Sequence, residues 1–243
     1  MSFKYEGTKT TARKPLALQG GINSSLYGWQ RFDFYGKNGA SQAIAPFVMT
    51  KATNATADYT SGVADGVYRL AHSADSEAQT IRIDFGDSLM LNMSKGPIIR
   101  FRVKFNIANA TMSADQRAVV GLASNYNATL DNVTTNAWFR IEGANLNIYV
   151  EGDDNTTDTD DQDTTIDFVD NTYQIFEIDC SNLTAVIFNI YTAAGVFQGS
   201  SSVSLAGLAA NTLVQPIVAI QRDAGTEQEV VDIDMIEWRY TRT

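Results

Sequence analysis

Ile99-Arg100-Phe101-Arg102-Val103-Lys104-Phe105-Asn106-Ile107 alternates without a break, with apolar residues at the odd positions and polar ones at the even positions. Successive side chains of a strand point to opposite faces, so this run is a strand with one dry face and one wet face. Arg100, Arg102 and Lys104 then form a basic stripe on the wet side. Thr80-Ile81-Arg82-Ile83-Asp84-Phe85 repeats the pattern and stops at Gly86-Asp87. Such half-buried strands belong to antiparallel sheets.

The rhythm continues in both directions. Residues 117–123, 137–142 and 145–151 read as strands, the last two joined as a tight hairpin at Gly143-Ala144. Residues 173–179 and 185–191 follow, then a turn at Ala193-Ala194-Gly195, a return through Val196 to Gly199, and long strands at 213–222 and 230–240. No amphipathic helix of normal length appears, and 202–210 holds at most one or two turns. About a dozen strands without crossover helices predict an all-β, two-sheet antiparallel jelly-roll sandwich with six or so strands per sheet. Residues 7–28 show neither period, so the expected organisation is an extended basic N-terminal arm at 1–30 and one sandwich domain at 31–243.

Charge adds direction. The 243 residues carry 18 Lys and Arg against 28 Asp and Glu, a formal −10. That balance argues against nucleic-acid binding through the overall field. The first 51 residues nevertheless hold a net +5, which leaves −15 for the remainder. Between Arg140 and Arg222 there are twelve acids and no Lys or Arg. One cysteine, Cys180, and one histidine, His72, leave no internal disulfide, no thiolate metal set and little for Ser-His-Asp chemistry. Cys180 reads as a small buried hydrophobe and His72 as a surface residue. No cofactor is expected. No apolar leader occurs in the first thirty residues and no run is long enough to span a bilayer, so assembly in a host cytoplasm without membrane contact is the expectation. The eight Asn-x-Ser/Thr sequons, read with that expectation, are a by-product of composition.

From Thr172 onward the chain resembles the second half of a concanavalin A-like or laminin G-like sandwich. The likeness is carried by Tyr173, Phe176 and Ile178, the hairpin closed by Gly195, the strand with Pro216, Val218 and Ile220, and the ending Val231-Asp232-Ile233-Asp234. It extends over roughly 60–243 and implies a fold shared by lectins, glycanases, adhesion domains and structural domains of viral capsids and tail fibres.

Retaining glycanases of that superfamily carry a Glu-x-Asp-x-(x)-Glu strand, which brings Asp232, Asp234 and Glu237 into question. Carboxylates on one strand face have suitable spacing, and Met235-Ile236 breaks the alternation in a way that a bulge would accommodate. The first position is Asp instead of Glu and stacking aromatics are hard to find beside it, so the strand reads as an acidic, solvent-facing one. The acidic run from Glu151 to Asp163 lacks the EF-hand glycine and reads as an exposed, mobile hairpin tip, with a bound calcium ion as the alternative because carboxylates packed so densely repel unless a cation joins them. Tyr27, Trp29, Phe32, Phe34 and Tyr35 read as a flap over one sheet or an interface anchor.

The expectation that results is a non-enzymatic virion structural protein, a decoration or cement protein on the surface of a tailed-phage capsid. Lys4, Lys9, Arg13, Lys14, Tyr27 and Trp29 would grip the major capsid protein or a neighbouring subunit, with the chain itself a homo-oligomer. The alternative is a carbohydrate-binding or receptor-binding fibre domain, in which Trp138, Tyr126 or Tyr149 would stack on sugar rings. A glycoside hydrolase comes third.

Overall fold

The computed structural model describes residues 27–34, 47–60, 66–107, 116–143 and 145–241. They form sixteen strands: β1 (Tyr27–Asp33), β2 (Val48–Lys51), β3 (Thr56–Tyr59), β4 (Tyr68–Ala71), β5 (Gln79–Asp84), β6 (Leu91–Asn92), β7 (Ile98–Ile107), β8 (Gln116–Ala123), β9 (Asn136–Glu142), β10 (Asn147–Asp153), β11 (Asp158–Asp167), β12 (Tyr173–Asp179), β13 (Val186–Thr192), β14 (Phe197–Val203), β15 (Leu213–Arg222) and β16 (Glu229–Thr241). Sheet A has the order β14-β13-β12-β7-β16-β4-β3, with β1 also on β16; sheet B has β11-β10-β9-β8-β15-β5-β2, with β6 also on β15. The chain is therefore the all-β, two-sheet antiparallel sandwich that the alternation predicts.

The strands that the alternation does not announce are short (β2, β3 and β6, two to four residues), largely polar (β11) or begin in the expected arm (β1). The stretch at 202–210 finishes β14 and continues as turns, Leu208 N donating to Leu205 O. The boundary drawn at residue 30 falls inside β1, whose residues pair with β16 from Tyr27 opposite Thr241 to Asp33 opposite Met235.

β16 organises sheet A. β7 borders it along one side, while β4 and then β1 share the other. The β7–β16 register shifts between Ile233 and Met235, the bulge that the broken alternation suggests. It returns Ile236 and Trp238 to the core beside Val231 and Ile233, all four almost inaccessible to water.

The core lies between the sheets. Ile99, Phe101, Val103 and Phe105 of β7 face it, as the alternation requires. Phe139 of sheet B sits 5.0 Å from Phe176 and 5.2 Å from Phe188 of sheet A, edge to face in both cases. Burying each such ring stabilises the fold by about 1.5–3 kcal/mol. Phe32 stacks on Trp238 at 5.5 Å, and Phe34 packs against Phe47 and Tyr68. Of the expected aromatic flap, Phe34 thus belongs to the core itself and Phe32 packs against it, partly buried.

Candidate functional site

Among the described residues the core between the sheets is apolar, and the main charged rows lie on the outer faces. On sheet A the basic stripe of β7 lies between two acidic neighbours. Arg100 is bonded to Glu177 of β12 and reaches Glu237 of β16 at 3.3 Å. Arg102 meets Asp234 at 2.5 Å, and Lys104 meets Asp232 at 3.0 Å. Arg69 of β4 closes the row by gripping Asp232 through Nε at 2.7 Å and Nη2 at 2.9 Å. The stripe is neutralised across the strands.

This arrangement corrects the solvent-facing reading of the β16 acids. Asp232 is 2% exposed and Glu237 6%. Burial pushes Asp232 upward, but the hydrogen bonds and charges of Arg69 and Lys104 together outweigh it and hold the carboxyl below its usual range. A carboxylate clamped by two cations is a poor nucleophile, because its lone pairs are already committed. Tyr173 beside this row is pushed up to about 12, by burial first and then by Asp232 and Asp234.

Sheet B has a different outer face. The connection between β8 and β9 folds back over it and places Leu130, Val133 and half-buried Tyr126 against Val119, Ala123, Trp138, Ile217 and Ala219. Gly121 stands opposite Trp138 on the neighbouring strand, and a Cβ there would lie 2.5 Å from the Trp138 Cα. Only glycine allows that approach. Trp138 is completely buried as a result, which removes it as a sugar-stacking platform. Tyr126 lies beneath the Arg82 guanidinium, 3.2 Å from ring centroid to Cζ. Tyr149 remains half-buried, its hydroxyl accepting from Asn145 and Asn147.

Beside Trp138 lies a polar cluster that the sequence did not single out. Trp138 Nε1 donates to Glu151, and Arg140 bonds Glu151 at 2.5 Å, Asp131 at 2.7 Å and Glu142, with Asp161 at 3.9 Å. Glu151 is 3% exposed. Burial pushes its carboxyl up to about 7, against the opposing pull of Arg140 and Trp138. Such a group exchanges a proton at neutral pH, yet Trp138 and Arg140 each take one of its oxygens. A ligand from solvent meets the rim instead, where Asp131 and Asp161 are exposed. The polar series Arg140, Glu142 and Glu151 on two adjacent strands was the available signal. Its partners could not be read.

Two further expectations are corrected and one holds. The run at 151–163 contains the expected hairpin turn, at 154–157, but most of it is strand: its first residues complete β10 and its last ones enter β11, paired back from Asp153 opposite Asp158 to Asn147 opposite Asp167. Between them Asp154 builds the turn, accepting from Thr156 N, Thr157 N and Gly207 N, so both oxygens are occupied. His72 is buried, and its Nδ1 contacts Glu229 Oε2 in an equally buried pair. Cys180 is buried as expected, and burial pushes its thiol far up, away from nucleophilic chemistry. Arg222, also inaccessible, donates to the carbonyls of Ser73, Asp75, Glu77 and Glu227 and so pins two loops.

Of the grip residues expected from sequence, Tyr27 and Trp29 are placed by backbone pairing in β1, opposite Thr241 and Arg239. Lys4, Lys9, Arg13 and Lys14 lie outside the described residues. Among the described residues no three His, Cys, Asp or Glu side chains are grouped to hold a metal ion. Around Arg140 the guanidinium already fills the centre that its carboxylates share.

No family model and no curated protein sequence matches the chain. Solved structures do. A protein of unknown function from Shewanella oneidensis MR-1 superposes with a TM-score of 0.65 at 15% identity, covering 89% of this chain and 87% of that one. Lectin II from Ulex europaeus gives 0.60 at 10% identity, over 88% of this chain and 98% of the lectin. The Emp47p carbohydrate recognition domain gives 0.59 at 8% identity, over 92% and 100%. At such identities the shared property is the architecture, and the chain has the concanavalin A-like, lectin-type β-sandwich fold.

Proposed function

We propose that this chain is a non-enzymatic assembly module, a capsid decoration protein whose basic N-terminal segment attaches a rigid sandwich to the surface of a virion. The observation that carries the reading is the disposition of charge. On the sandwich the cations of the β7 and β4 rows are bound to carboxylates of the same chain, as is Arg140. Lys4, Lys9, Arg13 and Lys14 are opposed in the first 26 residues only by Glu6. A basic segment joined to an acidic, internally neutralised body is suited to docking on an acidic surface, such as a shell subunit.

The test uses the full-length chain with Lys4, Lys9, Arg13 and Lys14 changed to Glu. The wild type should sediment with particles in a producing lysate, and the variant should stay in the supernatant with an unchanged melting temperature. Equal sedimentation of both proteins, or wild type that never accompanies particles, would remove the capsid reading.

A second reading is carbohydrate binding. It is favoured by the half-buried Tyr149 on a polar outer face, in a fold that this chain shares with lectin II from Ulex europaeus and the Emp47p carbohydrate recognition domain. Here a glycan array decides: binding lost in Tyr149→Ala supports it, and an array without signal, with and without calcium, excludes it.

A further inference from the structure

Residues 180–221 contain no Asp, Glu, Lys, Arg or His. In a chain with 46 Lys, Arg, Asp and Glu residues, this stretch is the exception, and it includes the end of sheet A. Among the described residues β14 is the terminal strand, bonded to β13 on one side only. Edge strands are normally protected from pairing with other chains by charge, proline, a bulge or a covering segment. β14 has neither charge nor proline. A bulge does occur, but at the hairpin end, where the register shifts between Ile190 and Tyr191 opposite Phe197–Gly199. The run from Gly199 to Val203 beyond it is regular.

The surface next to this edge is apolar. Val196 is 62% exposed, Phe197 56% and Ile187 41%. Phe197 lies 5.7 Å from Tyr191, and Tyr191 pairs with Ile175 on β12, so the apolar row continues inward. Ser200 and Ser202 are exposed and short, leaving the outer side of the edge flat.

We propose that the chain forms a two-fold homodimer by antiparallel pairing of β14 with β14 of a second copy, extending sheet A across both. Charge selects a second copy as the occupant. A two-fold contact sets each strand against its own sequence, and a protein with net −10 can do that only where its surface has no charge to repel itself. The run Gly199-Ser-Ser-Ser-Val203 meets these terms, since small uncharged side chains face small uncharged side chains. The edge of sheet B does not. β11 carries Asp158, Asp160, Asp161, Asp163 and Asp167, and it lies beside β14, Gln162 Nε2 donating to Ser201 Oγ at 2.6 Å. The same two-fold brings the two β11 strands towards each other, so their repulsion opposes the contact and salt relieves it. A short edge with a small apolar patch gives a weak, reversible dimer in the micromolar range. This inference does not rest on the capsid reading.

The experiment is sedimentation velocity of the full chain over a concentration series at low and high sodium chloride. A monomer–dimer equilibrium that tightens several-fold with salt is expected. In Ser200→Asp/Ser202→Asp the dimer should be lost while the far-ultraviolet spectrum and melting temperature persist. The same two charges placed at exposed Ser76 and Ser88 should leave it intact. A wild type that is monomeric under all conditions overturns the proposal. So does a dimer retained by the β14 variant, or one that weakens with salt, which would indicate a basic segment held on acids. The Lys/Arg→Glu variant of the N-terminal segment should dimerise normally, separating this result from the capsid test.

Discussion

The outer face of sheet A sets four cations, Arg69, Arg100, Arg102 and Lys104, against four carboxylates, Glu177, Asp232, Asp234 and Glu237. That of sheet B sets Arg140 among Asp131, Glu142, Glu151 and Asp161. Both are burial problems, with opposite results. Where positive and negative groups match, Asp232 is held below its usual range although it is buried. Where carboxylates are in excess, burial wins and Glu151 rises to about 7. Local charge balance decides whether a buried acid stays ionised.

The largest test of that contrast is to remove the arginine. Arg140→Met should destabilise the protein by about 3–5 kcal/mol in chemical denaturation, because it leaves a buried carboxylate unpaired among others. A loss no larger than that of an ordinary surface substitution would show that the cluster is solvated and the contrast false.

Next in size is a pH effect. Glu151 has a folded-state pKa above its unfolded value, so the folded state holds the proton more tightly. Its contribution is full below the unfolded pKa, near 4.5, and is lost as pH rises through about 7. That amounts to about 3 kcal/mol across the window. Burial raises Asp84 and Glu229 as well, with the same sign. Stability should therefore decline from pH 5 to pH 8, and Glu151→Gln should flatten much of that slope. Asp232, with its lowered pKa, acts in the reverse sense and withdraws stability only as pH falls through its folded-state value. An identical slope in the Gln variant would move the titration elsewhere.

The smallest effect is expected on the matched face. Arg102 is 30% exposed and Asp234 18%, so Arg102→Met should cost about 1 kcal/mol or less and lose part of that cost in high salt. A cost near that of Arg140→Met would erase the difference between the faces.

The strands that were legible from sequence share one property. β5 and β7 alternate apolar and polar residues, and β12 and β13 set large apolar residues at every second position, Phe176 and Ile178 in one and Val186, Phe188 and Ile190 in the other. β11 has no such period, because Ile166 is its one apolar residue, so from sequence most of it reads as a loop. Its register comes from β10. The sites were less legible still. Asp232, Asp234 and Glu237 were visible as an acidic strand and Arg100 to Lys104 as a basic one, but the fact that they cancel depends on residues 128 or more positions apart becoming neighbours. His72 looked exposed because Glu229, its partner, is 157 residues away. Trp138 looked available for stacking because nothing local says that 124–135 folds over it.

The sequence alone determined the architecture and the polarity of charge, since strand periodicity and net charge are local sums that need no partner. Tertiary structure decided which charges are paired, which buried acids are pushed up and which described strand ends sheet A, because each depends on dielectric surroundings and distances that exist only once the two sheets have closed on each other.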